Sequence, residues 1–251
     1  MKNYIHFKGF TLAETIITLG IIGVVAAMTI PNLMSKWREK ALIAKLKESY
    51  SMVYQAYRLA IEEHGDLSGW DLGINSTDIN AHKNVANNIK PFLKLSYDCV
   101  GLESGTEIIR KCTPMNTSYG SKNVFSVVRL INGVSLVFRI LDPTCSRSDN
   151  PRRNSCGVLT VLLEPEKKQQ PGLNTFNFYM TANELLPWGK MNSSITFEKA
   201  CDPNNKHPYP GFNGYGVNMY GCTAWVLENN NMDYWHCFDK LGWNKARNCH
   251  K

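Results

Sequence analysis

Apolar and small residues run almost unbroken from Gly9 to Met34, GFTLAETIITLGIIGVVAAMTIPNLM, with one charge, Glu14, near the start. About 20 apolar residues cross the hydrocarbon core of a bilayer, so this run is long enough to span one. Beyond Pro31 the pattern turns periodic. Ile43, Leu46, Tyr50, Val53, Tyr57 and Ala60 recur at alternating spacings of three and four, while Lys45, Lys47, Glu48, Arg58, Glu62 and Glu63 fall off that stripe. The two patterns predict one helix from Phe10 to His64, about 80 Å long at 1.5 Å per residue, bent near Pro31 and stopped by Gly65. Its second half needs a globular partner along the stripe.

That partner follows a polar stretch from Gly65 to Asn80 and a short helix predicted over Asn84 to Leu93. VFSVVRLINGVSLVFRIL, Val124 to Leu141, reads as two alternating strands around Asn132-Gly133, a strong hairpin signal. CGVLTVLL adds a third strand, and Thr175 to Met180 a fourth after a long turn. The expected class is α+β: a long N-terminal helix packed on an antiparallel β-meander, followed by a loop-rich C-terminal region.

With 251 residues, the chain has about 200 left after the opening segment, enough for one core. The net charge of +7 includes Lys2 and Lys8 and is too small and scattered to argue by itself for nucleic acid, which is not an expected partner. All eight cysteines, Cys99, Cys112, Cys145, Cys156, Cys201, Cys222, Cys237 and Cys249, lie beyond the apolar run. An even set on one side of a membrane segment predicts disulfides in an oxidising compartment. Sequence alone leaves their connectivity open; the pairing expected is between neighbours, Cys99 with Cys112, Cys145 with Cys156, Cys201 with Cys222 and Cys237 with Cys249.

The start differs from an ordinary secretory signal, whose cleavage site follows the apolar run. Here a short basic stretch, MKNYIHFKG, ends in Gly9 directly before it. Gly9, Phe10, Thr11, Leu12 and Glu14 resemble the leader of type IV pilins and type II secretion pseudopilins, which prepilin peptidase cuts after the glycine. Gly20, Gly23 and Pro31 also stand where that family's helix carries glycines and a proline. The resemblance implies a leader over 1–9, an N-methylated Phe10, a transmembrane and filament-core segment over 10–34, and a pilin-like globular domain over 35–251. It assigns Phe10, Glu14 and Pro31 to subunit assembly, with Glu14 reaching the amino terminus of a neighbouring subunit. By charge alone, Lys36, Arg38, Lys40, Lys45 and Lys47 beyond the span outnumber Lys2 and Lys8 and favour the reverse orientation. The processing site and the cysteines instead place the C-terminal domain outside the cytoplasm.

Further residues resemble a group of bacterial type II secretion system proteins with this leader. Asn132 to Ser135 are similar to a DGTS hairpin. Phe176, Phe178, Asn183, Leu185 or Leu186, Pro187 and Gly189 follow an F-x-F-x-x-x-x-N-x-L-x-P-x-G segment with shifted spacing, and Gly221 to Val226 with Met232 to Tyr234 match a closing GCTAWV and MDY. Relatives often carry an Asp-Asn-Gly turn between the third and fourth strands, whereas this chain has Glu164, Pro165, Glu166, Lys167 and Lys168. Two carboxylates beside two ammonium groups make a poor calcium site.

Other chemistry finds little footing. His236-Cys237 and Cys249-His250 match no common zinc spacing, GFNGYGVNMYG over 211–221 lacks the phosphate-loop pattern, and no G-x-S-x-G occurs. Trp188, Trp225, Trp235 and Trp243 read as packing residues, and Arg147, Arg152 and Arg153 as a solvated loop. The expectation is a non-enzymatic structural subunit of a pilus or secretion pseudopilus in the cytoplasmic membrane, needing neither metal nor cofactor. Its partners would be prepilin peptidase, sister pilin-like subunits and an inner-membrane assembly platform. A filament-tip adhesin or DNA-binding minor pilin is the alternative, and a membrane-anchored enzyme a more distant one.

Overall fold

The computed structural model describes residues 11–101, 109–113, 125–146, 155–191, 193, 195–204 and 219–250. Helix α1, Leu12–His64, runs for 53 residues and continues through Pro31. The chain divides between Ala41 and Leu42 into two compact units. In the first, the large apolar side chains from Leu12 to Met34 are 54% to 80% exposed. In the second, the α1 stripe of Ile43, Leu46, Val53, Tyr57 and Ala60 is buried, with Tyr50 partly so.

The rest of the second unit is α2 (Ile79–Ile89), β1 (Leu95–Asp98), α3 (Ile109–Cys112), β2 (Ser126–Leu130), β3 (Ser135–Ile140), β4 (Ser155–Leu162), β5 (Thr175–Thr181), β6 (Leu185–Pro187), α4 (Phe197–Ala200), α5 (Thr223–Asn229) and α6 (Tyr234–Cys237). The strands form one antiparallel sheet in sequence order, the simplest meander. Its central strands alternate faithfully. Val128, Leu136, Phe138, Leu159, Val161, Phe176 and Phe178 enter the core shared with α1 and α2, and the register pairs Leu136 with Val161 and Leu159 with Phe178. The opposite face is covered too: Val127, Val137 and Leu162 pack with Cys99 and Cys112, and Val158, Tyr179 and Leu186 with Trp188, Ile195 and Ala200. A sheet buried on both faces explains why β4 and β5 are apolar or small at nearly every position.

Two hydrogen bonds and one aromatic stack tie α1 to this sheet. The Lys45 ammonium donates to the Leu163 carbonyl at 2.6 Å, Tyr50 stacks on Phe178 with ring centroids 5.1 Å apart, and the Tyr57 hydroxyl donates to the Thr181 carbonyl at 2.5 Å. Burial pushes the Tyr57 pKa up, so the phenol stays a donor. The hairpin turns where expected: Gly133 has φ +79°, and the Asn132 side chain accepts from Val134 N–H and donates to the Ser49 hydroxyl.

Two expectations shift. The short helix begins at Ile79, capped by the Asp78 carboxylate accepting from Asn80 N–H at 2.9 Å, and a 3₁₀ turn over Lys90–Phe92 takes its end, because Pro91 cannot continue an α-helix. Among the described residues, the loop-rich C-terminal region also carries three short α-helices, α4, α5 and α6. The hairpin's predicted first residue, Val124, lies outside the described residues.

Candidate functional site in the apolar half of the helix

The first turn of α1 decides what happens to Glu14. One carboxylate oxygen accepts from both Thr11 N–H and the Thr11 hydroxyl at 2.9 Å, and that hydroxyl accepts from Glu14 N–H at 3.2 Å. This is a reciprocal capping box, the S/T-x-x-E pattern that satisfies helix-start donors which an apolar environment would leave bare. The sequence reading places Thr11 in the leader resemblance but gives it no role toward Glu14, although the capping signal, TLAE before an apolar run, is in the sequence.

The remaining polar side chains described in this apolar segment follow the same economy. Thr15, Thr18 and Thr29 donate their hydroxyls to the carbonyls of Thr11, Glu14 and Val25 at 2.9 to 3.1 Å. Each turns its hydrogen back onto the helix, so none needs water. A Cβ placed on Gly20 or Gly23 would meet nothing within 4 Å, so packing among the described residues does not require either glycine. From Leu12 to Met34 the helix advances about 35 Å, enough to cross a hydrocarbon core; by length and composition α1 qualifies as a membrane span. Glu14 sits in the first turn of α1 and Pro31 inside it, near the end of the apolar run at Met34. Gly9 and Phe10, the expected cleavage and methylation residues, lie outside the described residues.

The eight cysteines come together in four pairs at disulfide distance, Cys99 with Cys112, Cys145 with Cys156, Cys201 with Cys222 and Cys237 with Cys249. Cys145 is held at φ +52° in a tight loop, where the Asp142 carboxylate accepts from the N–H and hydroxyl groups of both Thr144 and Ser146. His236-Cys237 and Cys249-His250 thus carry disulfide sulfur. Among the described residues no group of three His, Cys, Asp or Glu side chains is placed to hold a metal. Glu164 pairs with Lys167 at 2.5 Å, and Glu166 lies 3.6 Å from Arg129. Arg147, Arg152, Arg153 and residues 211–218 lie outside the described residues.

The motif residues near the C-terminus meet in one structural junction. Gly189, at φ +93°, passes so close to Gly221 that a Cβ would collide with the Gly221 carbonyl. Around this crossing Ala224 N–H donates to Trp188 O at 2.8 Å, the Thr223 hydroxyl accepts from Asn177 N–H at 3.1 Å, and the Trp243 indole donates to Gly189 O at 2.8 Å. Phe197 stacks on Trp225, and the Arg247 guanidinium lies 4.7 Å from the Trp243 ring centroid. The Tyr234 hydroxyl donates to Gly172 O, tying the last segment to the turn before β5. Trp188, Trp225 and Trp243 are buried here, and Trp235 is 41% exposed. These residues pin the C-terminal segments to β5 and β6, a packing role.

A comparison of the sequence with models of known families, with curated proteins and with solved structures finds no match.

Proposed function

We propose that the chain is a structural subunit of a type IV pilus-like filament or a type II secretion pseudopilus, held in the cytoplasmic membrane by α1 before assembly. The observation that carries this reading is the division of labour along one helix. From Leu12 to Met34 its large apolar side chains are exposed, and from Leu42 onward its stripe is buried in the core of an α+β unit. A helix whose apolar half finds no partner among the described residues needs lipid or sister helices around it. The leader residues Gly9 and Phe10 and the acid at Glu14 favour sister helices over a plain anchor.

On this reading prepilin peptidase removes residues 1–9, Phe10 is methylated, and the assembly platform moves the mature chain from membrane to filament. The C-terminal unit faces the oxidising side, where its four disulfides form. Shearing surface filaments from the native cells and quantifying this chain by mass spectrometry tests the reading. The expected result is the mature chain in the filament fraction; its confinement to the membrane fraction while filaments are abundant would contradict it.

A further inference from the structure

The basic residues that follow the apolar run have no part in subunit assembly as proposed, and by charge count they oppose the expected orientation. Lys36, Trp37, Arg38 and Lys40 are all exposed on α1, Trp37 to 63%. Leu33, Lys36, Trp37 and Lys40 are spaced i, i+3, i+4 and i+7, so they share one helix face. Along that face an aliphatic side chain is followed by an ammonium and an indole, then by a second ammonium. The Lys40 nitrogen stands 5.9 Å from the centre of the Trp37 ring.

The order has a physical meaning once α1 crosses a bilayer, and the inference rests on that reading. Lys36 and Lys40 stand about 3 and 9 Å along the axis beyond Met34, at the depth where hydrocarbon gives way to headgroups. An indole favours that boundary because its ring is apolar and its N–H polar, and lysine stems lie along apolar surface while their ammonium groups reach outward. Three basic residues stand here against one acid, Glu39. We propose that the Leu33, Lys36, Trp37 and Lys40 face is a docking surface for anionic phospholipid headgroups, with phosphate oxygens at the two ammonium groups and Trp37 at the level of the glycerol. The exposed Leu33 and Trp37 continue the apolar surface of the span, which favours lipid over an acidic protein surface as the occupant.

The test reconstitutes the full chain in phosphatidylcholine vesicles containing a minority of phosphatidylglycerol, with either lipid brominated in turn at equal mole fraction. Subtracting the fluorescence of Trp37→Phe isolates the Trp37 signal. Brominated phosphatidylglycerol should quench it about three- to fivefold more efficiently than brominated phosphatidylcholine, a preference that salt weakens. In a Lys36→Gln, Lys40→Gln double variant the two lipids should quench equally. Equal quenching in the unmodified chain, or a preference that survives in the double variant, overturns the proposal. Equal quenching together with lost filament incorporation by the double variant also overturns it, and assigns the face to a sister subunit. If neither lipid quenches Trp37, the helix does not lie in the bilayer and the membrane reading itself falls.

Discussion

Glu14 is satisfied within its own chain by Thr11, and that sets the terms on which it can serve assembly. An acidic residue deep in a membrane costs about 2.5 to 3.5 kcal/mol on insertion scales, less near the end of a span. The capping box lowers that burden without a partner subunit. In the proposed filament the same carboxylate meets the amino terminus of a neighbour, so the ion pair selects axial register more than it adds stability. Glu14→Ala should leave the globular unit folded yet reduce filament incorporation by about tenfold or more, since it strands an unpaired ammonium. Glu14→Lys should be worse, because it sets two cations together. The filament-to-membrane ratio of each variant is the readout, and unchanged ratios for both would remove Glu14 from assembly. A second residue gives the fold a pH dependence. His82 on α2 is fully buried, and its Nδ1 accepts from Ile140 N–H at 2.9 Å, so the imidazole must be neutral there. Burial first, and the Arg139 charge second, push its pKa down to about 4, against weaker opposing influences from the Ser76 backbone and Asp78. The unfolded chain then binds the proton more readily, so this contribution is present above about pH 6.5 and is lost as pH falls toward 4. About 3 kcal/mol should disappear across that window. Denaturant titrations at pH 7 and pH 4.5 should show a steeper acid loss in the native protein than in His82→Gln; equal losses would contradict the assignment.

The elements differ in how plainly they announce themselves. The long helix, the hairpin and strands β4 and β5 were legible because each carries a repeated period over enough residues to outweigh chance, and Asn132-Gly133 marks the turn. Strand β1 was not, since Leu-Ser-Tyr-Asp has one half-buried residue followed by three exposed ones. Strand β6 is three residues long and ends in Pro187, which reads as a loop because proline lacks a ladder donor. The helix predicted over Asn84 to Leu93 starts five residues earlier, at Ile79, because the Asp78 carboxylate caps it, and ends sooner, because Pro91 follows Lys90. At the site, Glu14 was legible as a lone charge, and Thr11 was hidden only because hydroxyls are common in apolar helices. The C-terminal motifs were visible as a resemblance, but their role depends on Gly189 meeting Gly221 across some thirty residues of sequence, which no local pattern reveals. Such a region relies on covalent ties. Cys201–Cys222 closes the longest of the four disulfide loops, with a sequence separation of 21. Replacing both cysteines with serine should lower stability by about 3 kcal/mol, seen as a reduced denaturation midpoint. A midpoint equal to that of the native protein would show that packing around Trp225 and Trp243 suffices.

At the scale of the whole molecule, the chain combines a helix that presents apolar surface with a unit that has buried its own. Under the proposed function those properties would suit a subunit that leaves lipid for a filament: the helix would exchange one apolar environment for another while the globular unit stays folded. Lys36, Arg38 and Lys40 would hold an unprocessed span the other way round, unless the order of events is set by an enzyme that reads Gly9 from the cytoplasmic side and by cysteines that oxidise on the other. On the proposed function, processing is the step that commits the inserted chain to assembly. Intact-mass analysis of the protein extracted from native membranes tests it most directly. The extracted chain should begin at Phe10, carry one added methyl group and retain four disulfides; a chain that still carries Met1 to Gly9, or one cut after Pro31, would overturn the processing step.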